Sequence, residues 1–403
     1  KIDWTLILIN TQIPLYLCKP SLINLSLASK LIRSKLSSLV YKNLTINDIV
    51  LSNQPNYFMD KKLLELENFG YLANIWAIGK NGFNRELAFK EVRIDSFINR
   101  VKGQLKSWAK YCKLVNFECL GNACYFLLPI TLEFLNLRTL SFNMCAISLA
   151  QLNNILSKVS KLEVLALRRV DIINSPDSNS TNTIKFPNGL YSLTYINNML
   201  SSSNLPDTKP IQFLKTNDSI DTTPSPHLSP QFLPRLSKLN YYSTTITDEF
   251  IEFLSINSQI EDLSLPITFL SSIKTNIKLL LNLKKLKLYA QSFRYEQVTA
   301  DNLNIPAFPN LKELNLNLRT NTELEFAELL IKKCAKLSKL NILSSNLEYK
   351  KLKGLVKFAN SLRYFNDERV SEQSTIKIQK PILPEDLFKT DQKPPFMIVH
   401  YLT

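Results

Sequence analysis

Residues 137–147 constrain the fold more than any other part of the chain, because their apolar positions follow a strict pattern. The stretch reads LRTLSFNMCAI, and its apolar side chains are Leu137, Leu140, Phe142 and Ile147. The alternation around Leu140 and Phe142 predicts a short β-strand with one apolar face. Such a strand cannot bury that face by itself, so the pattern predicts further copies stacked on both sides of it.

Copies of this pattern recur along the chain at a nearly constant spacing. The first apolar residues of successive copies are Phe89, Leu114, Leu137, Leu162, Leu190, Leu236, Ile260, Leu283, Leu311, Leu337 and, more weakly, Leu362. Most steps between them are 23–28 residues, and one step of 46 contains a poor match at Ile211 that we interpret as a degenerate copy or an insertion. Single matches arise by chance in a chain that is 45% hydrophobic, so the constant period is what predicts a repeat.

The segments between these copies change from alternating to helical spacing of their apolar residues. The segment FINRVKGQLKSWAK, for example, has one apolar helical face made of Phe97, Val101, Leu105 and Trp108. Each repeat is therefore predicted to be a strand, a turn and a helix. This combination resembles the leucine-rich-repeat family. The resemblance implies an α/β fold, a curved, ribonuclease-inhibitor-like solenoid of ten or eleven repeats with a parallel sheet on its concave side and helices on its convex side.

Residues 1–46 fall outside the repeat pattern and are predicted to form a small all-α head. A break at Lys19 and Pro20 separates two apolar stretches, and Ser21 is positioned as a helix N-cap. This segment resembles the F-box. The residues that carry the resemblance are Leu6, Ile7, Ile9, Tyr16, Leu17, Lys19, Pro20, Leu22, Leu25, Leu27, Ser29, Lys30 and Tyr41. The Asn-, Ile- and Lys-rich style of the chain also resembles that of large F-box families in some fungal genomes.

The F-box resemblance implies a substrate-recognition subunit of a Skp-cullin-F-box ubiquitin ligase. The head would bind the Skp-type adaptor, and through it the cullin complex, with the residues Leu6, Leu17, Pro20, Leu22 and Leu25. The concave face of the repeats would hold the protein target. The same helices could instead be a cap that shields the first repeat. The alternative function is then a protein-interaction scaffold outside any ligase.

The remaining domain boundaries follow from composition. Residues 47–88 are irregular and are predicted to connect the head to the repeats, which run over 89–370. A Ser- and Pro-rich insertion near 201–235 is predicted to be a loop, because prolines this dense fit neither a helix interior nor a central strand. Residues 371–403 depart from the repeat register and are predicted to cap the last repeat.

The net charge and the cysteines limit which partners and which cellular compartment the sequence predicts. The formal net charge of +15 predicts attraction to acidic partners, although many of the lysines are scattered singly, as on a solvated helical surface. The six cysteines show no CxxC pair and no nearby histidine. We therefore predict reduced thiols, no metal site and a cytoplasmic or nuclear location. No apolar run reaches 18 residues, so we expect no membrane span.

No arrangement of residues in the sequence predicts catalysis. The two histidines, His227 and His400, lie in Pro-rich segments, where a general base would be poorly positioned. No nucleophile, metal-binding or phosphate-binding motif appears at a useful spacing. We therefore predict neither an enzyme nor a cofactor.

The strands of the C-terminal repeats instead present lysines interleaved with tyrosines on their concave side. The predicted partner-binding residues are Lys238, Tyr242, Lys285, Lys287, Tyr289 and Lys339. Lysines beside aromatic rings suit an acidic or phosphorylated protein segment. The net charge also raises the hypothesis of a nucleic-acid partner, whose affinity would fall steeply with salt. We expect a protein target rather than nucleic acid.

Overall fold

The structure is a computed structural model of the 403-residue chain. It describes residues 17–47, 80–174, 183–202, 221–224, 228–289, 305–318, 321–344, 361–369 and 373–377, together with a few positions between 352 and 358. The chain divides into two compact units, Lys1–Leu236 and Ser237–Thr403.

The first unit contains strands that are stacked in parallel and helices that follow them. Its described helices are α1 (Lys19–Leu27), α2 (Lys30–Val40), α3 (Lys80–Leu105), α4 (Ala123–Leu127) and α5 (Leu149–Lys158). Its described strands are β1 (Asn43–Asn47), β2 (Leu114–Gly121), β3 (Thr139–Ser148), β4 (Val164–Arg168), β5 (Asp171–Asn174), β6 (Ser192–Ile196), β7 (Met199–Ser202) and β8 (Asp221–Pro224). Strands β1, β2, β3, β4 and β6 pair in that order and in parallel, and the end of β3 pairs with β5 in a second sheet that continues through β7 and β8.

The inward positions of the main sheet align from strand to strand. The register partners Val115, Leu140, Leu165 and Leu193 are all completely buried. After β3 the chain enters α5, where the Ser148 side chain caps the helix by accepting a hydrogen bond from the Gln151 N–H at 3.3 Å. The apolar face of α5 is buried as well. The repeat that begins at Leu137 therefore has the predicted strand, turn and helix, and the predicted α/β fold of repeats on a parallel sheet is confirmed.

A left-handed residue follows the aligned part of the main sheet in four repeats, directly after the register partners Glu118, Asn143, Arg168 and Ile196. The left-handed residues are Cys119, Met144, Arg169 and Asn197, with φ between 48° and 54°. After Asn197, the buried Asn198 closes the turn: its Oδ1 accepts from the Val170 N–H at 3.0 Å and its Nδ2 donates to the Leu167 carbonyl at 3.3 Å. Left-handed backbone is unfavourable for residues with side chains, so its recurrence shows that stacking fixes the turn.

The helical head ends earlier than the sequence predicted, because a strand follows its second helix. Helices α1 and α2 share a small core of Leu22, Ile32, Leu36 and Val40. Strand β1 then pairs in parallel with β2, which places Leu44 beside Val115 and Ile46 beside Phe117. The sequence YKNLTIN is thus a further copy of the repeat. The prediction of an all-α segment over residues 1–46 is wrong at these positions.

Two predicted repeat starts are also wrong. Phe89 lies inside α3, whose buried residues Ile94, Phe97 and Ile98 recur at helical spacing, and this helix also covers the end of the predicted connector. Leu114 is the first residue of β2, so the repeat starts two residues earlier, at the buried Cys112. The remainder of the connector, residues 48–79, lies outside the described residues.

Part of the predicted Ser- and Pro-rich insertion is regular structure. Strand β8 lies within it and pairs antiparallel with β7. Gln231 accepts a hydrogen bond from the Phe186 N–H at 3.0 Å and donates one to the Phe186 carbonyl at 2.6 Å. Leu228 and Leu233 are buried. The prediction of a loop is therefore wrong where β7 and β8 lie, whereas residues 228–235 form neither a helix nor a strand and agree with it. The poor match at Ile211 lies outside the described part of the chain.

The second unit repeats the strand-and-helix arrangement. Its described strands are β9 (Lys238–Tyr242), β10 (Asp262–Pro266), β11 (Lys285–Tyr289), β12 (Glu313–Leu318), β13 (Lys339–Ser344), β14 (Tyr364–Arg369) and β15 (Gln373–Lys377). Its described helices are α6 (Asp248–Ile256), α7 (Leu270–Ile273), α8 (Ile277–Asn282) and α9 (Asn321–Lys332). Strands β9 to β14 are parallel, and β15 is antiparallel to β14.

The core of the second unit is a row of leucines that crosses the sheet. Leu239, Leu263, Leu286, Leu314 and Leu340 are register partners, and none is more than 1% exposed. Each of the strands β9 to β14 begins two residues after a predicted repeat start. The side chains between these leucines point to the opposite side of the sheet, which we call the open face.

Candidate functional site

The open face of β9 to β13 carries three rows of side chains, one row for each outward position of a strand. The first row is Lys238, Asp262, Lys285, Glu313 and Lys339, followed on β14 by Tyr364. The second row is Asn240, Ser264, Lys287, Asn315 and Asn341. The third row includes Tyr242, Pro266, Tyr289, Asn317 and Leu343. All six predicted partner-binding residues lie in these rows.

The first row is a ladder of alternating charge. Glu313 accepts from Lys285 through Oε2 and from Lys339 through Oε1, both at 3.1 Å. Lys238 lies 3.9 Å from Oδ2 of Asp262. Three of the predicted lysines are therefore paired with carboxylates from the neighbouring strands.

The pKa values of the two carboxyl groups of the ladder are shifted in opposite directions. Burial acts to raise the pKa of Glu313, but hydrogen bonds from Lys339 and Lys285 outweigh it and the pKa is lowered. Burial raises the pKa of Asp262, and its neighbours Lys238 and Lys285 offset this only in part. Glu313 is thus the carboxylate that the ladder holds ionised.

The second row consists mainly of amides linked to the ladder. Asn341 Nδ2 donates to Oδ1 of Asn315 and, at 3.4 Å, to Oε1 of Glu313. Asn315 Nδ2 donates to the same Glu313 oxygen at 3.5 Å. Lys287 is the one cation of this row, and its side chain is exposed.

The third row is aromatic where it meets Lys287. The rings of Tyr242 and Tyr289 meet edge to face with centroids 6.0 Å apart. The Tyr289 hydroxyl donates to Oδ1 of Asn240 at 3.2 Å, across the strand that carries the buried Ser264. The Lys287 ammonium lies 5.1 Å from the centre of the Tyr289 ring. Tyr289 is therefore fixed by contacts on both sides.

A concavity of 460 Å³ opens on this face between β11 and β14. Its polar lining includes Lys287, Lys339 and the amides Asn315, Asn317 and Asn341, and its apolar lining includes Tyr289, Leu343 and Tyr364. Leu343 and Tyr364 are each 41% exposed, which is high for large apolar side chains. Of the predicted partner residues, Lys287, Tyr289 and Lys339 line the concavity, whereas Lys238, Tyr242 and Lys285 lie outside it.

The sequence prediction missed Glu313 and Asn315, which complete this site. The repeat starting at Leu311 would have revealed Glu313, because it occupies the position that Lys285 and Lys339 occupy in the neighbouring repeats. The open face of the first unit has a different character. Its middle row is small, with Ser141, Ala166 and Thr194 as register partners, and the last two are buried.

The head presents different residues from those that the F-box resemblance implied. Leu22 is only 8% exposed, and Leu17 and Leu25 pack against the same small core. Pro20 is exposed, and Leu6 lies outside the described residues. The apolar side chains that α1 and α2 leave on the surface are Ile23, Leu27 and Leu31, at 39%, 64% and 53% exposure.

The cysteines are free thiols, and four of them are buried: Cys112, Cys124, Cys145 and Cys334. Burial raises the pKa of Cys334 to about 12. The exposed Cys18 differs, because a hydrogen bond with the Ser21 hydroxyl lowers its pKa. No group of three metal-ligating side chains occurs among the described residues. Over the same residues, no helix is long and apolar enough to cross a membrane.

The chain is similar to known proteins in structure but not detectably in sequence. No protein-family model matches the chain, and no curated protein sequence matches it. Among solved structures, a crystal structure of a TLR13-ssRNA13 complex is 16% identical with a TM-score of 0.31, over 66% of this chain and 34% of that chain. An internalin (inlF) from Listeria monocytogenes is 14% identical with a TM-score of 0.24, over 66% of this chain and 77% of that one. The chain thus spans about a third of the length of the first of these structures.

Proposed function

We propose that the chain is a protein-recognition scaffold and that its partner binds the open face of the second unit. The observation that carries this proposal is the concavity lined by Lys287, Tyr289, Leu343 and Tyr364. The leucine row buries only the inner face of the sheet, so these outward side chains serve no role in the core. Exposed aromatic side chains beside amide and cationic groups are typical of the residues that dominate protein interfaces.

Two features of this face support binding rather than catalysis. Its carboxylates, Asp262 and Glu313, are engaged with lysines, and Glu313 is held ionised, so neither is set up as a proton donor near neutral pH. Its remaining groups are amides, phenols and ammonium groups, which donate hydrogen bonds and stack. We infer a binding role without a cofactor.

We also propose, from the F-box resemblance, that the chain is the substrate receptor of a Skp-cullin-F-box ubiquitin ligase. The support is the pair of short helices with an exposed apolar strip, Ile23, Leu27 and Leu31. In this proposal the adaptor contacts that strip, while Leu22 and Leu25 hold the helices together. The target occupies the open face of the second unit.

A specific contact favours the alternative of a scaffold whose head is only a cap. The Lys19 ammonium donates to the Asn43 carbonyl at 2.9 Å, and Tyr41 stacks on Trp108 with ring centroids 4.1 Å apart. The first contact joins the head to the first strand of the sheet, and the second joins it to the turn before β2. A cap needs such contacts, because it must shield the end of a solenoid.

Co-expression of the full chain with a Skp-type adaptor separates the two proposals. A ligase receptor copurifies with the adaptor, and the double substitution Leu27→Glu and Leu31→Glu abolishes the complex because it charges the apolar strip. Lys35→Glu, at an exposed position of α2, is the matched control and leaves the complex intact. Absence of copurification with the unaltered chain would refute the ligase role and leave the scaffold standing.

A further inference from the structure

The lysines of the open face differ in whether a carboxylate lies beside them, and one of them has none at contact distance. Lys285 and Lys339 share Glu313, and Lys238 faces Asp262. Lys287 forms no ion pair at contact distance with any described residue, and its ammonium lies against the face of the Tyr289 ring. Its charge lowers the pKa of Asp262 from a distance, but less than the charges of Lys238 and Lys285 do. A ring face contributes less than a carboxylate at hydrogen-bond distance. Lys287 therefore offers the strongest attraction for an incoming anion.

The walls of the concavity favour an apolar neighbour for that anion. Leu343 and Tyr364 expose large apolar surfaces on the side of the concavity away from Lys287. Asn315 and Asn341 lie between the two sides, in the row that contains Lys287. At 460 Å³ the concavity accommodates one or two side chains rather than a folded domain.

The alternating ladder argues against a densely charged partner. Asp262 and Glu313 lie in the row next to Lys287, so a segment with a negative charge at every position would meet carboxylates as well as lysines. A single anionic side chain on Lys287 avoids that repulsion. Bidentate recognition of phosphate uses the planar fork of arginine, and the described open face of β9 to β13 carries lysines and no arginine.

We propose that the concavity binds an extended protein segment by one carboxylate side chain, which pairs with Lys287, and by an adjacent aromatic or aliphatic side chain, which packs on Leu343 and Tyr364. This inference rests on the proposed function of the open face as the partner site. It narrows the partner to a sparsely acidic, partly apolar segment.

The test begins with a random linear peptide library displayed on phage and selected on the full chain. The expected sequences carry one Asp or Glu beside an aromatic or aliphatic residue. A synthetic peptide of the best sequence is then titrated by fluorescence anisotropy. Lys287→Met weakens its binding about tenfold, because one charge-assisted hydrogen bond is lost. The control Lys278→Met, at an exposed position of α8, leaves binding unchanged. Lys285→Met, whose ammonium is paired with Glu313, weakens binding by less than about threefold.

A second peptide, in which Gln replaces the acidic residue, completes a double-mutant cycle between Lys287 and that residue. It binds the unaltered chain about tenfold more weakly and binds the Lys287→Met variant as well as the acidic peptide does. Equal losses for Lys285→Met and Lys287→Met would overturn the assignment of Lys287. Tighter binding of a phosphoserine version, or displacement of the peptide by a single-stranded oligonucleotide, would overturn the choice of a carboxylate.

A blocking variant distinguishes failure of this inference from failure of the proposed function. Leu343→Arg places a bulky charged group in the concavity. If selected peptides lack an acidic residue but Leu343→Arg still abolishes their binding, the inference is wrong and the open face remains the partner site. If Leu343→Arg does not change peptide binding, or if no peptide is enriched, both the inference about the carboxylate and the proposed function of the open face are wrong. Unchanged melting temperatures of the variants show that folding is intact.

Discussion

The substitution Leu314→Ala tests how the second unit is held together. Leu314 is completely buried between Leu286 and Leu340 on the two neighbouring strands. Removing its isobutyl group loses the transfer free energy of the buried atoms and leaves a cavity. The flanking leucines are held by the backbone ladder of a parallel sheet, so they have little freedom to fill that cavity. We expect a loss of about 3–5 kcal/mol in the free energy of unfolding.

Urea unfolding followed by far-ultraviolet circular dichroism measures this loss. With an m-value of about 3 kcal/mol/M, the midpoint falls by about 1 M or more. The control is Lys287→Ala, an exposed position on the adjacent strand, which we expect to change stability by less than about 0.5 kcal/mol. Hydrogen exchange of peptides that cover β12 localises the effect. A midpoint shift no larger than that of the control would show that Leu314 does not face the core.

Three further predictions concern other parts of the structure. Glu313→Gln lowers the free energy of unfolding at pH 7 by about 1 kcal/mol, a small value because the partner lysines are half exposed. Since the pKa of Glu313 is depressed in the folded state, this difference is fully present above the unfolded pKa and disappears as the pH falls through the folded pKa. A stability difference that stays constant across an acid titration would contradict the ladder. Asn198→Ala leaves the Val170 N–H without its partner and costs about 1–3 kcal/mol in thermal or urea unfolding, whereas the exposed Asn154→Ala does not. Thiol alkylation of the native protein modifies Cys18 and Cys119 rapidly and the other four cysteines only after unfolding, and rapid labelling of Cys334 would refute its placement in the core.

The period of the leucines was sufficient to predict most of the sheet. Every predicted start from Leu137 to Leu362, except the degenerate one, lies two residues before a strand. The errors arose where the sequence permits two periods. Around Phe89 the apolar residues fit a helix as well as a strand. In LVNFECL, Leu114 and Val115 are adjacent apolar residues, so the sequence does not show which of them faces the core and therefore where the repeat starts.

The faces of the head could not be predicted for a related reason. In α1, the apolar residues Leu22, Ile23, Leu25 and Leu27 are distributed around the whole helix, so their spacing does not define an inner side. The structure resolves this, because α2 packs on the side that carries Leu22 and Leu25. Ile23 and Leu27 remain exposed.

The candidate site was predicted strand by strand, and its chemistry depends on neighbours that are far apart in sequence. The lysines of the open face were identified from their own repeats. Glu313, which pairs with Lys285 and Lys339, comes from a different repeat than either, so its role depends on the register between strands. The lysine with the least compensated charge, Lys287, could be identified only once these pairs were known.

Site-specific photo-crosslinking tests the central claim that partners bind the open face. A benzophenone amino acid is placed at Leu343, which is 41% exposed on the open face, or at Leu329, which is 39% exposed on α9. The two positions have matched accessibility and lie in the same unit. With a phage-selected peptide as the probe, binding at the open face predicts a crosslink from position 343 and none from position 329. Equal crosslinking from both positions, or crosslinking from 329 alone, would contradict it.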